Sequence, residues 1–107
     1  MAEHVAVDQM IQKSPVTGAL GRIVHGDALT MAHWHFEAGT VLPRHDHPHE
    51  QMAMVIDGTM ELTVGEHMYT LTTGEALTIP GGIPHEARAV TDCTIIDAFT
   101  PRRDDLV

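Results

Sequence analysis

The chain of 107 residues has the length of one domain, and its one cysteine, Cys93, excludes an internal disulfide and fits a reducing compartment. The net charge of −9 at pH 7 argues against nucleic acid and anionic membrane as partners. Because the first ten residues lack the features of a signal peptide and no apolar run approaches the roughly 18 residues that span a bilayer, we expect a cytoplasmic protein.

The first 19 residues carry only one weakly periodic stretch, VAVDQMI, which ends at Ser14-Pro15. We expect residues 1–19 to form an extended arm or an edge strand. From residue 20 onward, short β-type runs alternate with turn signals, which is the pattern of a sandwich or barrel. The predicted strands are LGRIVH (20–25), LTMAHWHFE (29–37), EQMAMVI (50–56), TMELTV (59–64), HMYTL (67–71), ALTIP (76–80), HEARAV (85–90) and CTIIDAF (93–99). The sequence therefore predicts one all-β domain over residues 20–107.

The run EQMAMVI alternates in a way that bears on assembly. If Gln51 faces inward, the outward row is apolar and consists of Met52, Met54 and Ile56. A sheet that is apolar on both faces is usually covered on both. We therefore predict a homodimer in which a second copy covers this row; the alternative is that the N-terminal arm packs there.

Histidine is the residue type that points to chemistry. Random placement of 9 histidines in 107 residues gives about 0.7 His-x-His pairs. The chain contains three such pairs: His33–His35, His45–His47 and His47–His49. The stretch RHDHPHEQ (44–51) holds two of them and is a candidate metal site. Other histidines, near termini or turns, are expected to be solvated: His4, His25 and His67.

The spacing around this stretch resembles the two motifs of the cupin superfamily. The first motif, G-x5-H-x-H-x3-E-x6-G, is matched by Gly39, His45, His47, Gln51 and Gly58. The second, G-x5-P-x-G-x2-H-x3-N, is matched by Gly74, Pro80, Gly82 and His85. Two positions depart from the family pattern, since glutamine replaces glutamate at 51 and alanine replaces asparagine at 89. The resemblance implies a single-domain double-stranded β-helix, or jelly-roll barrel.

The same resemblance implies one divalent transition metal held by His45, His47, Gln51 and His85. Strand geometry agrees: His-x-His on one strand puts both imidazoles on the same face, Gln51 joins them from the paired strand, and His85 follows a glycine-rich turn that lets backbones approach. Imidazole ligands favour Ni, Cu, Zn or Fe over Mg or Ca, and Mn completes the set of candidate metals. The sequence does not distinguish among these metals.

The C-terminal stretch DAFTPRRDDL resembles the ending of the small pectin-degradation cupins, of the type D-x-F-T-P-x-R-x-D-[FL]. That resemblance implies a metal-dependent isomerase or lyase-type enzyme that linearises 4,5-unsaturated uronates, the acidic sugars left by pectin and alginate lyases. The reaction needs one positioned acid/base, for which Asp97 is the candidate.

Substrate contacts are assigned to residues near this ending. Strand alternation puts Phe99 on the same face as Asp97, where it offers a wall for the sugar, and Arg103 is positioned to grip the substrate carboxylate. Arg103 is thus a candidate for both binding and catalysis. The alternatives are that Asp97 bonds to backbone and that Arg103 is a solvated charge. His35 either lines the barrel and touches substrate or only packs.

Two other functions compete with this one. A dioxygenase of the quercetinase or acireductone kind requires a redox metal and, for flavonoids, an aromatic pocket. One tryptophan, one tyrosine and two phenylalanines make such a pocket poor. A non-enzymatic sugar-binding or sensor cupin requires no acid/base group. Substitution of Asp97 by asparagine distinguishes this second rival from an enzyme.

Overall fold

The computed structural model describes residues 2–107, which fold into ten strands and one short 3-10 helix, Val7–Gln9. The strands are β1 (Ile11–Lys13), β2 (Ala19–His25), β3 (Thr30–Phe36), β4 (Val41–His45), β5 (Glu50–Asp57), β6 (Thr59–Val64), β7 (His67–Thr72), β8 (Ala76–Ile79), β9 (His85–Ala89) and β10 (Cys93–Thr100). Each of the eight predicted runs coincides with one of these strands. No helix among the described residues is long and apolar enough to cross a bilayer.

The strands form two antiparallel sheets. Six strands make one sheet in the order β1-β2-β3-β10-β5-β8, and four make the other in the order β4-β9-β6-β7. Neighbours in space are therefore mostly distant in sequence: β10 lies between β3 and β5. The predicted all-β class is confirmed.

Strand alternation builds the core. On β3 every second residue is buried, and on β10 the same holds from Cys93 to Phe99. The inward side chains of these two central strands include Trp34, Phe36 and Ile95, which pack with aliphatic residues from both sheets. Cys93 is a buried free thiol whose pKa burial raises to about 11.

The outward row of β5 is exposed, as its alternation indicates. Met52 is 56% exposed and Met54 is 42% exposed. Their neighbours on β10 continue the apolar surface, since Ala98 pairs with Met52 and Ile96 pairs with Met54. The N-terminal arm does not cover this row, because β1 pairs with β2 at the opposite end of the six-stranded sheet. The first 19 residues thus contain a short edge strand.

The strand β4 has no counterpart among the predicted runs. Pro43 lies in its middle, and its pairing with β9 is irregular between Leu42 and His45. Because proline cannot donate a ladder hydrogen bond, it is tolerated mainly on edge strands, and β4 is the edge of its sheet. Because the proline interrupts the alternation of inward and outward side chains, the sequence pattern does not predict this strand.

Candidate metal centre and acid–base site

A cavity of about 510 Å³ lies where the two sheets meet. Apolar residues from both sheets line it, among them Trp34 and Phe36 from β3, Leu42 from β4 and Leu62 from β6. The polar lining includes the predicted site residues His45, His47, Gln51, His85, Asp97 and Arg103, together with Lys13, Ser14, Arg44 and Glu86. The fold therefore gathers these side chains around one space.

Three imidazoles form the centre of this polar lining. One ring nitrogen from each of His45, His47 and His85 lies within 4.8 Å of the others. The ring centroids are 4.4 Å apart for His45 and His85 and 4.9 Å apart for His47 and His85. His47 and His85 are buried, whereas His45 is exposed. The three side chains form a group that can hold a metal ion.

Backbone carbonyls fix the tautomer of each ring. Nδ1 of His45 lies 2.8 Å from the carbonyl oxygen of Pro43, and Nδ1 of His85 lies 2.8 Å from that of Ile83. Nδ1 of His47 is 3.1 Å from the carbonyl oxygen of His49. Because a carbonyl only accepts, each Nδ1 carries the proton and each Nε2 keeps its lone pair. This is the orientation that metal-binding histidines adopt.

Gln51 supplies a fourth oxygen or nitrogen at the same place. Its Oε1 lies 3.1 Å from Nε2 of His47, although both atoms are acceptors in this tautomer. The Gln51 amide also lowers the pKa of Asp97, the effect of an N–H directed toward that carboxylate, while its oxygen points at His47. Nε2 of His85 is likewise buried with no hydrogen-bond partner within residues 2–107. Lone pairs that converge without a proton between them fit a cation.

The structural elements that carry the ligands differ from the predicted ones. His45 ends β4, but His47 lies beyond it in the connection to β5. Gln51 is not on a strand paired with β4, because β4 pairs with β9 and β5 belongs to the other sheet. The ligand set therefore straddles both sheets, joined by the short segment that crosses from one to the other.

The glycine-rich turn before His85 allows this crossing segment to approach. A Cβ on Gly81 would collide with the carbonyl oxygen of Pro48. The next residue, Gly82, donates its N–H to the carbonyl oxygen of His47 at 2.8 Å and has a φ of 78°. Both glycines are thus required by close backbone contact or by the left-handed conformation.

Burial keeps the inner imidazoles neutral. Desolvation lowers the pKa of His47, and the positive charge of Arg103 lowers it further. Desolvation also lowers the pKa of His85. Neutral imidazole is the form that binds metal.

Asp97 lies on the inward face of β10 and is 8% exposed. Burial raises the pKa of this carboxyl to about 7, against the opposing effects of the Gln51 amide, the Arg103 charge and the Trp34 side chain. Its Oδ1 atom is buried and has no hydrogen-bond partner among the described residues. The neighbours of Asp97 are side chains rather than the backbone groups of the alternative interpretation. A carboxyl in this state can both donate and accept a proton near neutral pH.

Arg103 follows β10 and turns back over the cavity. The central carbon of its guanidinium lies 4.7 Å from the centre of the Phe99 ring. Its Nε and one terminal nitrogen bond the two carboxylate oxygens of Asp105 at 2.9 and 2.7 Å. The side chain is only 12% exposed, so it is not a solvated charge. The Phe99 ring itself meets His47 edge-on, with centroids 5.7 Å apart.

The structure does not bring His35 to the site. On β3 the inward positions are taken by Trp34 and Phe36, so strand alternation turns His35 outward to an exposed position. The predicted substrate contact of His35 is corrected accordingly. Trp34 takes its place as a cavity residue, and the alternation of TMAHWHF around a buried tryptophan is the signal that indicates it.

Comparison with known proteins supports the same assignment of fold. Residues 32–99 match the model described as the cupin domain, and the chain belongs to the cupin family. The chain aligns over 100% of both lengths with KdgF from Halomonas sp., with a TM-score of 0.90 and 27% identity. An RmlC-like cupin from Shewanella frigidimarina gives a TM-score of 0.89 and 26% identity, with coverage of 99% of this chain and 97% of the other.

A larger cupin shares only the fold. Oxalate decarboxylase from Bacillus subtilis gives a TM-score of 0.83 at 16% identity, over 91% of this chain and 29% of that one. The chain matches no curated protein. The predicted cupin-type jelly roll is confirmed.

Proposed function

We propose that the protein is a metal-dependent cupin enzyme that opens the ring of 4,5-unsaturated uronates from pectin or alginate and yields linear keto sugars. The observation that carries the proposal is the Asp97 carboxyl, buried, with a pKa of about 7 and one oxygen without a partner among the described residues, beside the histidine cluster. The sequence resemblance to the pectin-degradation cupins supports it. The full-length match to KdgF supports it as well.

The ligand set suits one divalent transition metal, which when bound supplies Lewis-acid polarisation of a coordinated oxygen. His45, His47, Gln51 and His85 would hold it through three imidazole nitrogens and one amide oxygen. Because all four ligands are neutral, a bound divalent ion keeps its full charge of +2. The identity of the metal among Ni, Zn, Fe, Mn and Cu is part of what the experiment must determine.

The substrate chemistry requires one proton to move. A 4,5-unsaturated uronate is a cyclic enol ether with a hemiacetal hydroxyl at C1. When that hydroxyl loses its proton, the bond from C1 to the ring oxygen breaks, which leaves an aldehyde at C1 and an enolate at C5. Protonation of C4 then gives the ketone at C5. The proton removed from the hydroxyl equals the one added at carbon, so no co-reactant is needed.

Asp97 is suited to both halves of this transfer. Near neutral pH both its protonated and its ionised form are populated, because its pKa is about 7. The ionised form accepts the hydroxyl proton, and the protonated form returns it to C4. The Gln51 amide stabilises the ionised form of the carboxyl, because it lowers the pKa of Asp97. The same residue therefore acts as base and then as acid.

Arg103 and Phe99 orient the sugar. The chain has a net charge of −9, so an anionic substrate requires a local cation. Arg103 provides one at the cavity, already held in place by Phe99 and Asp105. Its remaining N–H groups are free to bind the uronate carboxylate, and the aromatic ring packs against the sugar.

Incubation of the purified protein with unsaturated uronate tests the proposal. Loss of the ultraviolet absorbance of the enol ether, with a linear keto sugar as product, is expected with metal and not after chelation. Binding of the sugar without turnover would favour a sensor cupin. Oxygen uptake with an enediol or flavonol, and no change in the uronate, would favour a dioxygenase.

We also propose a cytoplasmic location, supported by the free thiol of Cys93, and a homodimer. A second copy would cover the exposed apolar row of β5, which consists of Met52, Met54 and Ile56. Light scattering of Met52→Glu is expected to give a monomer mass where the parent protein gives a dimer mass. A monomeric parent protein would contradict this assembly.

A further inference from the structure

The segment that carries Arg103 is tied to the barrel by a histidine far away in sequence. Nε2 of His25, at the end of β2, lies 2.9 Å from the carbonyl oxygen of Leu106. Nδ1 of the same ring lies 2.7 Å from Oγ1 of Thr30. The backbone N–H of Arg103 donates to that hydroxyl oxygen at 2.9 Å. His25 is therefore part of a network and is not solvated as its place near a turn suggests.

The protons of this network follow from its acceptors. The carbonyl of Leu106 only accepts, so Nε2 of His25 carries a proton and Nδ1 of the neutral ring accepts. The hydroxyl of Thr30 must then donate to Nδ1, which leaves its oxygen to accept from Arg103. Each donor has one acceptor, and Thr30 is 0% exposed. Water cannot replace a bond lost at such a position without rearrangement.

The network fixes both ends of the short segment around Arg103. Thr30 holds the Arg103 backbone, and His25 holds the Leu106 carbonyl. Between them lies Asp105, which binds the guanidinium through two hydrogen bonds. If the segment shifts, the partner of the guanidinium shifts with it. The place of the guanidinium over Phe99 thus depends on bonds made by His25 and Thr30.

We propose that His25 is a positioning residue for Arg103, acting through Thr30 and the Leu106 carbonyl, and that it sets the affinity of the cavity for the substrate carboxylate. The effect that we expect on KM rests on the proposed function. Neither His25 nor Thr30 lines the cavity, so neither touches substrate. Their effect on activity must pass through the segment.

The first test is a kinetic comparison of His25→Asn with His67→Asn, a matched change of an exposed histidine on β7. His25→Asn is expected to raise KM about fivefold to tenfold with kcat within about twofold, because it loosens carboxylate binding and leaves Asp97 in place. His67→Asn is expected to leave both unchanged. His25→Gln keeps an amide N–H in reach of the Leu106 carbonyl and is expected to restore most of the affinity.

A double-mutant cycle shows whether His25 acts through Arg103. In the Arg103→Ala background, His25→Asn is expected to raise KM no further. An equal increase in both backgrounds would overturn the proposal. Thr30→Val, which removes the relay hydroxyl at nearly constant volume, provides a second variant with the same expected pattern if His25→Asn does not fold.

A spectroscopic measurement does not depend on turnover. The Arg103 side chain lies over the Phe99 ring. The ring current of Phe99 therefore shifts the NMR signals of the Arg103 side chain. These signals are expected to move toward random-coil positions in His25→Asn and to stay in place in His67→Asn. If they move while the parent protein leaves unsaturated uronate unchanged, the positioning role holds and the proposed function fails. If they stay in place and KM is unchanged, even with a lower melting temperature, the positioning role is overturned.

Discussion

Nε2 of His47 and Oε1 of Gln51 lie 3.1 Å apart with a lone pair on each and no proton to share. The connection after β4 supplies one atom, and the six-stranded sheet supplies the other. Two buried acceptors at this distance are costly unless a cation joins them. This relationship links the ligand cluster to Asp97, because the same amide lowers the pKa of that carboxyl.

The role of the amide oxygen can be tested by metal affinity. Gln51→Leu keeps the approximate volume of the side chain and removes the ligand, so we expect affinity for the metal to fall at least about tenfold. Gln51→Glu is expected to retain the metal, since a carboxylate oxygen can take the same position. Competition with a chelator, followed by metal analysis, measures both, and His67→Ala serves as control. Unchanged affinity in Gln51→Leu would remove Gln51 from the ligand set.

The buried carboxyl makes stability depend on pH in a defined direction. The folded protein holds the Asp97 proton up to a pKa of about 7, whereas the ordinary value is 3.8. The folded state therefore binds more protons between these values, and wild-type stability falls as pH rises from about 4 to 7. Asp97→Asn has no charge to bury. We expect the metal-free variant to be more stable than the metal-free parent above pH 7, by an amount on the order of 2–4 kcal/mol.

Urea unfolding at a series of pH values, with chelator present, checks this expectation. The advantage of Asp97→Asn should shrink as the pH is lowered and be lost below about pH 4, where Asp97 is neutral in both states. A difference in unfolding free energy that stays constant across the pH series would mean that burial does not raise the pKa of this carboxyl.

Gly21 gives the Trp34 ring the room it needs. The two residues pair across β2 and β3, and a Cβ on Gly21 would lie 2.6 Å from Cε3 and 2.7 Å from Cη2 of the indole. We expect Gly21→Ala to destabilise the protein by about 1–3 kcal/mol through overpacking. Gly26→Ala is the matched control, because a Cβ there meets its neighbours no closer than 3.6 Å. Equal unfolding free energies for the two variants would contradict this packing.

Trp34 and His35 are adjacent on β3 and point to opposite faces. Because only Trp34 faces the cavity, we expect substitution of Trp34 to change activity and substitution of His35 to leave it nearly unchanged. The Trp34 side chain lowers the pKa of Asp97. Loss of this effect in Trp34→Phe is expected to move the pH–rate profile to higher pH by up to about one pH unit. His35→Ala is expected to keep kcat/KM within about twofold. A shift in His35→Ala as large as that in Trp34→Phe would restore His35 as a site residue.

The part of the fold that follows local rules could be predicted from the sequence. Alternation located β2, β3 and the other long strands, and the spacing of His45, His47, Gln51 and His85 identified side chains that the structure brings together. Alternation does not predict a strand whose inward and outward positions are interrupted. Pro43 interrupts β4, so the strand that carries His45 has no visible pattern.

Features set by long-range contact could not be predicted in the same way. Which sheet contributes Gln51 depends on how the segment after β4 crosses between layers, and that crossing is fixed by contacts with Gly81 and Gly82. The network of His25 joins residues 81 positions apart. No local periodicity reports such a contact. The outward orientation of His35, in contrast, follows from local alternation, because Trp34 is the larger apolar residue and takes the buried position on β3.

The most direct measurement is the rate at which metal-loaded protein removes the enol-ether absorbance of unsaturated uronate, compared between the parent and Asp97→Asn. With equal metal content per chain, the variant is expected to be slower by at least about 100-fold, since it can neither accept nor return the proton. Turnover by Asp97→Asn at the parent rate, with the same metal content, would contradict the account.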